Sequence, residues 1–537
     1  MVTERTIINA LIVGAGFILV PFVISSTLSW DFGPAFFFGA LFSLVAAFFF
    51  FKERLCICPL LGASIGGSLN FLPLPLTATQ IACILLIIYY ITGYVLIRQR
   101  RIKLGKTKFL WPILIITLIL LYHNHSLSLG SFGGETEGGK AAILIYLVIL
   151  AYFCGINIST PSVDFLSKVP LYFVILTGVF SIPFFLTTYI PSIAPILYAV
   201  TDQVNVEAYM DTQGGTTVGG GGGLSRLGAF GTFGMVLQLY LLCYYPMGTW
   251  LRPDRWWVAC LSLICATLAI ASGYRSVLFG FAMLTMAGAW CYYSWRSLVL
   301  PAVVSIVGLV LIVASNNNII HLPTRELPQI AQRTLSFLPA DWDEDEIESG
   351  KGSNHFRKNI EDVYIKEYLT KSPLIGNGFT IDTKEYQDFI EAAKNGRGDA
   401  EYLQAKVFIE GKLFHTGWMS VYDAVGIIGS IAFVALGWNE ISVAAHFVFG
   451  SKANRRSSLF PFYVWILCNV VSMMVAFFTV FGSFKQSFMD LLVYAIVLSH
   501  LSDVGNITDV PVPLRDDKGE LEYTGSKGAP YGYQSRV

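Results

Sequence analysis

The stretch FHTGWMSVYDAVGIIGS, from Phe414 to Ser430, lies where a long polar segment meets an apolar one. Residues 316–414 precede the junction, and an apolar run of membrane length follows it, with Gly426 and Gly429 about one helical turn apart. His415 stands at the junction itself. An imidazole at a water–lipid boundary can accept a proton from a hydroxyl group, or it can serve only as an interfacial anchor. His415 is therefore the first candidate for chemistry.

The composition is that of a membrane protein. Hydrophobic residues make up 54% of the 537 residues and charged residues only 13%, whereas a soluble domain has about 25% charged residues. Since a bilayer core takes about 20 apolar residues per helix, we predict an all-α polytopic membrane protein with about 12–14 transmembrane helices and one large, partly helical loop. The net charge is zero, so bulk charge points to no partner, and we expect no nucleic-acid binding.

Two further features of the composition narrow the class. The nine cysteines lie in or beside apolar segments, which argues against a disulfide framework and against a zinc site. The first apolar run, Ile7 to Ile24, has no small-residue cleavage site after it. We therefore expect it to be a retained span rather than a signal peptide.

Clusters of Lys and Arg orient the predicted spans, because short cytoplasmic loops are rich in both. The predicted spans lie near 7–28, 34–51, 58–75, 78–97, 109–122, 140–157, 169–189, 227–245, 256–293 (two spans), 298–315, from His415 onward, 459–480 and 484–500. Segment 58–75 contains Gly and Pro and reads either as a span or as a re-entrant segment. It should cross if the basic clusters at 52–54 and 98–106 are both cytoplasmic.

Five regions follow from this topology. They are N-terminal transmembrane helices at 1–200, transmembrane helices with outer-face arginines at 201–315, a large outer loop at 316–414, C-terminal transmembrane helices at 415–501 and a polar cytoplasmic tail at 502–537. Within the outer loop, Val363, Ile365 and Leu369 recur at helical spacing before Pro373 and Gly376, so we expect a partly helical lid over the outer membrane surface.

The same topology places Arg226, Arg275 and His415 on the outer face. An arginine at mid-depth in a membrane costs about 2.5–3.5 kcal/mol and less near the edge, so it usually has a partner or a function. Two arginines on one side can hold phosphate oxygens in bidentate fashion, or each can extend to lipid headgroups. His355 and Arg357, which precede the predicted loop helix, are second-tier candidates.

Three other motifs are interpreted as structural rather than functional. The Gly-rich run 214–223 lacks the Gly-Lys-Ser/Thr ending of a nucleotide-binding loop, so we interpret it as flexible backbone. His123 and His125 have no third ligand nearby in sequence, and a solvated loop is the favoured interpretation. The acidic run 341–348 lacks the spacing of a calcium loop and reads as a solvated surface. We predict no metal site and no cofactor.

Four motifs follow one another in order within residues 220–440. They are SRLG at 225–228, ASGYRS at 271–276, Arg357 followed by SPLIGNG at 372–378, and His415-Thr416 followed by nine residues, Gly426, two residues and Gly429. Together they resemble the O-antigen ligase and O-antigen polymerase superfamily of bacterial inner-membrane glycosyltransferases. The resemblance implies a GT-C-like fold with its active site and large loop facing the periplasm.

The resemblance also implies a reaction. A glycan would pass from an undecaprenyl-pyrophosphate carrier to a hydroxyl on a glycan, lipid A core or protein acceptor, without a metal and with inversion at the anomeric carbon. His415 would act as the general base, and Arg226 and Arg275 would neutralise the pyrophosphate leaving group. Polymerase and protein O-oligosaccharyltransferase activities remain open within this class. A flippase or transporter of lipid-linked glycan, and an inactive member of an envelope assembly, are the alternatives from other classes.

Overall fold

The computed structural model describes the chain in segments. They are residues 51–69, 76–92, 107–123, 137–190, 228–250, 252–292, 324–338, 341–379, 381, 383–395, 399–414, 416–450, 452–479, 482–507, 514–515 and 521–522. The predicted spans 7–28, 34–51 and 298–315 therefore lie wholly or almost wholly outside the described residues, as do Arg226 and His415.

The described segments contain sixteen α-helices and two small hairpins, which confirms the predicted all-α class for this part of the chain. The helices are α1 Cys58–Gly62, α2 Ala78–Tyr90, α3 Thr107–His123, α4 Glu137–Gly155, α5 Val163–Tyr189, α6 Gly228–Tyr244, α7 Trp256–Ala271, α8 Arg275–Cys291, α9 Gln329–Leu335, α10 Glu344–Glu367, α11 Thr383–Lys394, α12 Ala400–Glu410, α13 Gly417–Phe449, α14 Lys452–Arg456, α15 Phe460–Thr479 and α16 Phe484–Ile507. The strands pair antiparallel, β1 Ser68–Leu69 with β2 Leu76–Thr77 and β3 Leu514–Arg515 with β4 Leu521–Glu522.

Three described helices are long and apolar enough to cross a membrane. They are Val163–Ile182 within α5, Gly417–Phe449 and Phe460–Thr479. Shorter apolar helices pack beside them, and large apolar side chains such as Leu118 and Trp438 are 64% and 67% exposed on the outside of this bundle. An apolar outer surface of this kind is typical of contact with lipid.

One end of the bundle, here called the loop end, carries the helix termini that meet the segment between α8 and α13. Thr334 of α9 donates a hydrogen bond to Ile270 O at the end of α7 (2.9 Å). A Cβ on Gly417 would overlap the Phe477 carbonyl, so the start of α13 touches the last turn of α15. The α7–α8 turn, the start of α13 and the end of α15 therefore all lie at the loop end.

The opposite end, here called the basic end, carries the other termini of the same helices. His500 Nε2 of α16 bonds to Gly155 O at the end of α4 (3.0 Å). Asn439 of α13 donates to Lys108 O in the first turn of α3 (2.7 Å). Since α14 (Lys452–Arg456) follows α13 directly, its basic side chains belong to this end as well.

The prediction that segment 58–75 crosses the membrane is wrong. Its helix, α1, has only five residues, far below the length of about 20 that a bilayer requires. Pro59 lies in the first turn of this helix. Gly62 ends the helix where a Cβ would lie 2.7 Å from Thr79 N, so the chain turns back against the start of α2. Leu86 of α2 then packs near Gly155 at the basic end. The re-entrant interpretation fits this path.

The segment between α8 and α13 builds a small core of its own. Helices α10 and α12 enclose buried apolar and aromatic side chains, to which Phe414 and Met419 at the start of α13 contribute. The fully described members are Ile360, Val363, Tyr364, Tyr368, Ala405, Ile409, Phe414 and Met419. The predicted loop helix therefore exists, and it packs onto the first turns of α13.

Candidate functional site

Helix α13 is broken at Gly426. This residue has φ 64° and ψ −167°, a conformation that essentially only glycine adopts, while helix continues on both sides. In an unbroken helix the N–H groups of Ile427 and Ile428 would bond to the carbonyls of Asp423 and Ala424. The break therefore leaves two donors and two acceptors without their helical partners.

The segment Pro373–Gly378 fills this break. Ile427 N donates to Pro373 O (2.9 Å) and Ile428 N donates to Leu374 O (3.1 Å). In return, Asp423 O accepts from Asn377 N (2.6 Å) and Ala424 O accepts from Gly378 N (3.2 Å).

All four orphaned backbone groups are thus satisfied by one inserted segment. Irregular backbone at membrane depth is tolerated only where such groups are paired within the protein. We call this arrangement the helix insertion, meaning residues 373–378 together with the break at Gly426.

Glycines permit the close approach in the helix insertion. Gly376 has φ +73°, and a Cβ there would lie 2.6 Å from Gly426 N. A Cβ on Gly426 would in turn overlap the backbone of Leu374 and Ile375. Two of the motifs behind the family resemblance, separated by about fifty positions in sequence, meet at this point.

A buried carboxylate lies directly beside the helix insertion. Asp423 has a side chain only 2% exposed, and Lys412 Nζ lies 2.6 Å from its Oδ2. Asn377 Nδ2 donates to its Oδ1 at 2.9 Å, and the Tyr364 hydroxyl reaches the same oxygen at 3.5 Å. Burial and the neighbouring Asp423 raise the pKa of Tyr364, so this hydroxyl stays a donor. The carboxylate thereby joins α10, the inserted segment, the turn after α12 and α13.

Sequence reasoning missed both Asp423 and Lys412. The available signal was the presence of a carboxylate inside an otherwise apolar run, which marks a residue with a partner or a function. Lys412 also adopts φ 55°, which is uncommon for a side chain other than glycine. The sequence gives no sign of that conformation.

His123 belongs to this site rather than to a solvated loop, which corrects the interpretation favoured from the sequence. It is the last residue of α3, and its Nε2 donates to Ile375 O at 2.9 Å. A Cβ on Gly378 would lie 2.8 Å from the His123 Cβ, so the two residues are in close contact. His125 lies outside the described residues.

Arg275 is the first residue of α8, at the loop end. Its Nε donates to Arg333 O (3.2 Å) and its Nη2 donates to Ser336 Oγ (2.6 Å), both at the end of α9. A Cβ on Gly231, early in α6, would overlap the Ser272 side chain beside this turn. Arg275 therefore holds part of the loop while lying next to the start of α6.

The two predicted central residues, Arg226 and His415, lie outside the described residues, but their described neighbours are informative. Phe414 is buried and its ring lies 5.4 Å from that of Tyr364 in an edge-on contact. Thr416 is the N-cap residue of α13, and its Oγ1 is buried without a hydrogen-bond partner among the described residues. The chain on both sides of position 415 is thus packed at the loop end.

Within the described residues, no contact joins the lower-priority candidates His355 and Arg357 to the helix insertion. His355 is 68% exposed and lies 3.4 Å from the Glu401 carboxylate. Arg357 lies half-buried on α10. Both belong to the helix pair α10–α12 rather than to the break in α13.

A further polar cluster ties α10 to α12. Lys406 is only 5% exposed, and its Nζ lies 2.5 Å from the Glu367 carboxylate and 2.8 Å from the Tyr368 hydroxyl. The Tyr368 hydroxyl also donates to Glu410. The hydrogen bond from Lys406 lowers the pKa of Glu367. This cluster stabilises the loop that supplies the inserted segment.

Another ionisable residue lies inside the helix bundle itself. Glu440 of α13 is fully buried, and neither of its carboxylate oxygens has a hydrogen-bond partner in the part of the chain that the structure describes. Glu440 is not among the residues predicted from the sequence.

No protein-family model and no curated protein matches this chain.

Proposed function

We propose that this chain is a multi-pass membrane glycosyltransferase. It would transfer a glycan from an undecaprenyl-pyrophosphate carrier to an acceptor hydroxyl at the loop end, which would face the periplasm across the bacterial inner membrane. The single observation that carries this proposal is the helix insertion. It brings the segment after α10 into contact with the glycine motif after His415. Both belong to the family resemblance, although they lie far apart in the sequence.

In this proposal His415 is the general base. A sugar hydroxyl is a weak nucleophile at neutral pH, and a histidine that accepts its proton during attack contributes about 10²–10⁴ in rate. The support comes from packing on both sides of this position, since Phe414 is buried against Tyr364 and Gly417, two residues after His415, abuts Phe477. A base must be held still to be effective, and these contacts restrain the chain on either side.

Arg275, with Arg226, would neutralise the departing pyrophosphate. The guanidinium carries five N–H donors in a rigid fork. Two donors of Arg275 bond to the end of α9, which orients the fork and leaves further donors for phosphate oxygens. Leaving-group departure then needs charge neutralisation rather than a strong acid, and the mechanism requires no metal.

The test measures transfer in membranes that contain the full-length protein, lipid-linked glycan and acceptor. We expect His415→Ala to reduce transfer about 10²-fold or more, with similar losses for Arg226→Ala and Arg275→Ala. His446→Ala, on the same helix at the basic end, and Arg456→Ala, in α14, are matched controls that should retain activity. Near-normal transfer by His415→Ala would remove the proposed base.

The products separate activities within the class. A ladder of polymer lengths identifies a polymerase, glycosylated lipid A core identifies a ligase, and glycoprotein identifies an oligosaccharyltransferase. Each product appears only with its own acceptor, so the same membranes can be tested with all three acceptors.

A transporter of lipid-linked glycan is the second candidate. The observation that favours it is Glu440, because unpaired ionisable residues inside a bundle are typical of transport proteins. Purified protein in liposomes would then move lipid-linked glycan across the bilayer without forming a new glycosidic bond. Transfer activity that depends on His415 would exclude this candidate as the main function.

A further inference from the structure

Two unpartnered polar groups lie inside the described helix bundle where α4, α13 and α16 pack together. Glu440 of α13 and Tyr152 of α4 are both 0% exposed. Both carboxylate oxygens of Glu440 and the hydroxyl of Tyr152 lack hydrogen-bond partners among the described residues. Tyr152 and Tyr494 of α16 both lie within electrostatic range of Glu440.

An ionised carboxylate is not stable in such a place. Transfer of an isolated charge into an apolar interior is so unfavourable that in practice the group takes up a proton instead. Even a neutral polar group left without a hydrogen bond is destabilising. A bound species would offset this cost. For the two carboxylate oxygens of Glu440 and the hydroxyl oxygen of Tyr152, the simplest such species is a proton.

None of the described groups on the neighbouring helices supplies a cation for Glu440. On α16, Tyr494 also interacts with Asp490, whose Oδ1 accepts a hydrogen bond from Gln486 (2.9 Å). On α3, Lys108 is exposed, and only its backbone carbonyl bonds to α13. On α15, Tyr463 stacks on Phe447, about two turns farther along α13.

The site lies close to the basic end. Tyr152 precedes Gly155, the last residue of α4, by less than one helical turn. Asn439, the neighbour of Glu440, is half-buried, and its hydrogen bond to the first turn of α3 is exposed to solvent. A proton would therefore travel only a short distance between Glu440 and water at this end.

We propose that Glu440 and Tyr152 form a proton-binding site inside the helix bundle that exchanges protons with the aqueous phase at the basic end. This site lies fourteen residues beyond the break at Gly426 and does not depend on the proposed glycosyl transfer. When the proton is bound, the carboxyl group is neutral and donates a hydrogen bond. When it leaves, a negative charge enters the junction of three helices and disfavours their packing.

The test uses dicyclohexylcarbodiimide, an apolar reagent that reacts with protonated carboxyl groups to form an N-acylurea. Full-length protein in liposomes is incubated with the reagent over a pH series, and the modified peptide is identified by mass spectrometry. We expect modification at Glu440 that falls about tenfold per pH unit above its midpoint, as for the loss of one proton. Glu440→Gln should abolish the modification of this peptide, and Glu344→Gln, at the start of α10, is the matched control.

A second variant keeps the proposal testable if Glu440→Gln fails to fold. Tyr152→Phe removes a hydroxyl that can donate to the ionised carboxylate, so the midpoint should move to higher pH. No modification of Glu440 at any pH, or modification that does not change with pH, would overturn the proposal. Suppression by added Na⁺ at constant pH would also overturn it, because the site would then bind a metal cation rather than a proton.

Discussion

Replacing Gly426 by Ala should expel the inserted segment and close the break in α13. Alanine at φ 64° and ψ −167° is strained by about 1–3 kcal/mol. Its Cβ would also overlap the backbone of Leu374 and Ile375, and relieving such overpacking costs about 1–3 kcal/mol more. The docked state should therefore lose about 2–6 kcal/mol relative to the undocked state, which is at least about 30-fold in their ratio.

Hydrogen bonding does not oppose this change strongly. Once the segment leaves, the N–H groups of Ile427 and Ile428 can return to the carbonyls of Asp423 and Ala424 as in a regular helix. Meanwhile the freed groups of residues 373–378 bond to water, so the net difference per hydrogen bond is small. Strain and overlap therefore decide the outcome.

Amide hydrogen exchange with mass spectrometry can follow both sides of the break separately. In the wild type, the amides of Asn377 and Gly378 are protected by bonds to α13, as are those of Ile427 and Ile428. In Gly426→Ala, the peptide with residues 377 and 378 should lose protection by the same factor of about 30 or more, while residues 427 and 428 stay protected within a continuous helix.

The control is Gly352→Ala on α10, where a Cβ would meet nothing within 4 Å. It makes the same chemical change in an open position and should stabilise its helix slightly, by up to about 1 kcal/mol. Gly376→Ala, from the other side of the contact, should reproduce the effect of Gly426→Ala, and the double variant should add little. Retained protection of Asn377 and Gly378 in Gly426→Ala would refute the reasoning.

The remaining predictions concern the charged groups of the loop end. Asp423→Asn removes the partner of the largely buried Lys412 ammonium and should lower the free energy of unfolding by about 3 kcal/mol. Lys412→Met should be less harmful in the Asp423→Asn background than alone, and a double-mutant cycle of unfolding free energies measures the difference. The hydrogen bond from Lys406 lowers the pKa of Glu367 from 4.5, so this pair stabilises the fold above about pH 4.5 and loses its effect as the pH falls through the lowered pKa. The melting temperature should therefore fall on acidification, and Glu367→Gln should flatten that dependence. Arg275→Lys keeps the charge but loses the fork, so kcat/KM for the lipid-linked donor should fall at least about tenfold while the protein still folds.

Composition and periodicity were enough to predict the helical class of the described residues, because long apolar runs are typical of helices. They failed at residues 58–75. That segment is apolar, but Pro59 and Gly62 let the chain turn back after five helical residues. Hydropathy reports only how much apolar surface a segment has, and it does not report whether the backbone continues in one direction.

The helix insertion shows a second limit of sequence reasoning. Gly426 and Gly429 form a motif about one helical turn apart, yet their spacing is also what an ordinary packed helix would show. The break becomes visible only when residues 373–378 are in place to satisfy its four backbone groups. His123 reaches the same segment from 252 positions away, a contact that no local pattern encodes.

These contacts also explain why loop docking and the candidate base belong to one unit. The turn before α13 is restrained by Phe414 against Tyr364, by Lys412 paired with Asp423, and by Gly417 against α15. The first two restraints involve groups that contact the helix insertion, since Asp423 also holds Asn377 through its side chain. Undocking of the segment therefore weakens two of the three restraints around position 415. A change at Gly426, eleven residues away, should consequently also loosen the turn that carries His415.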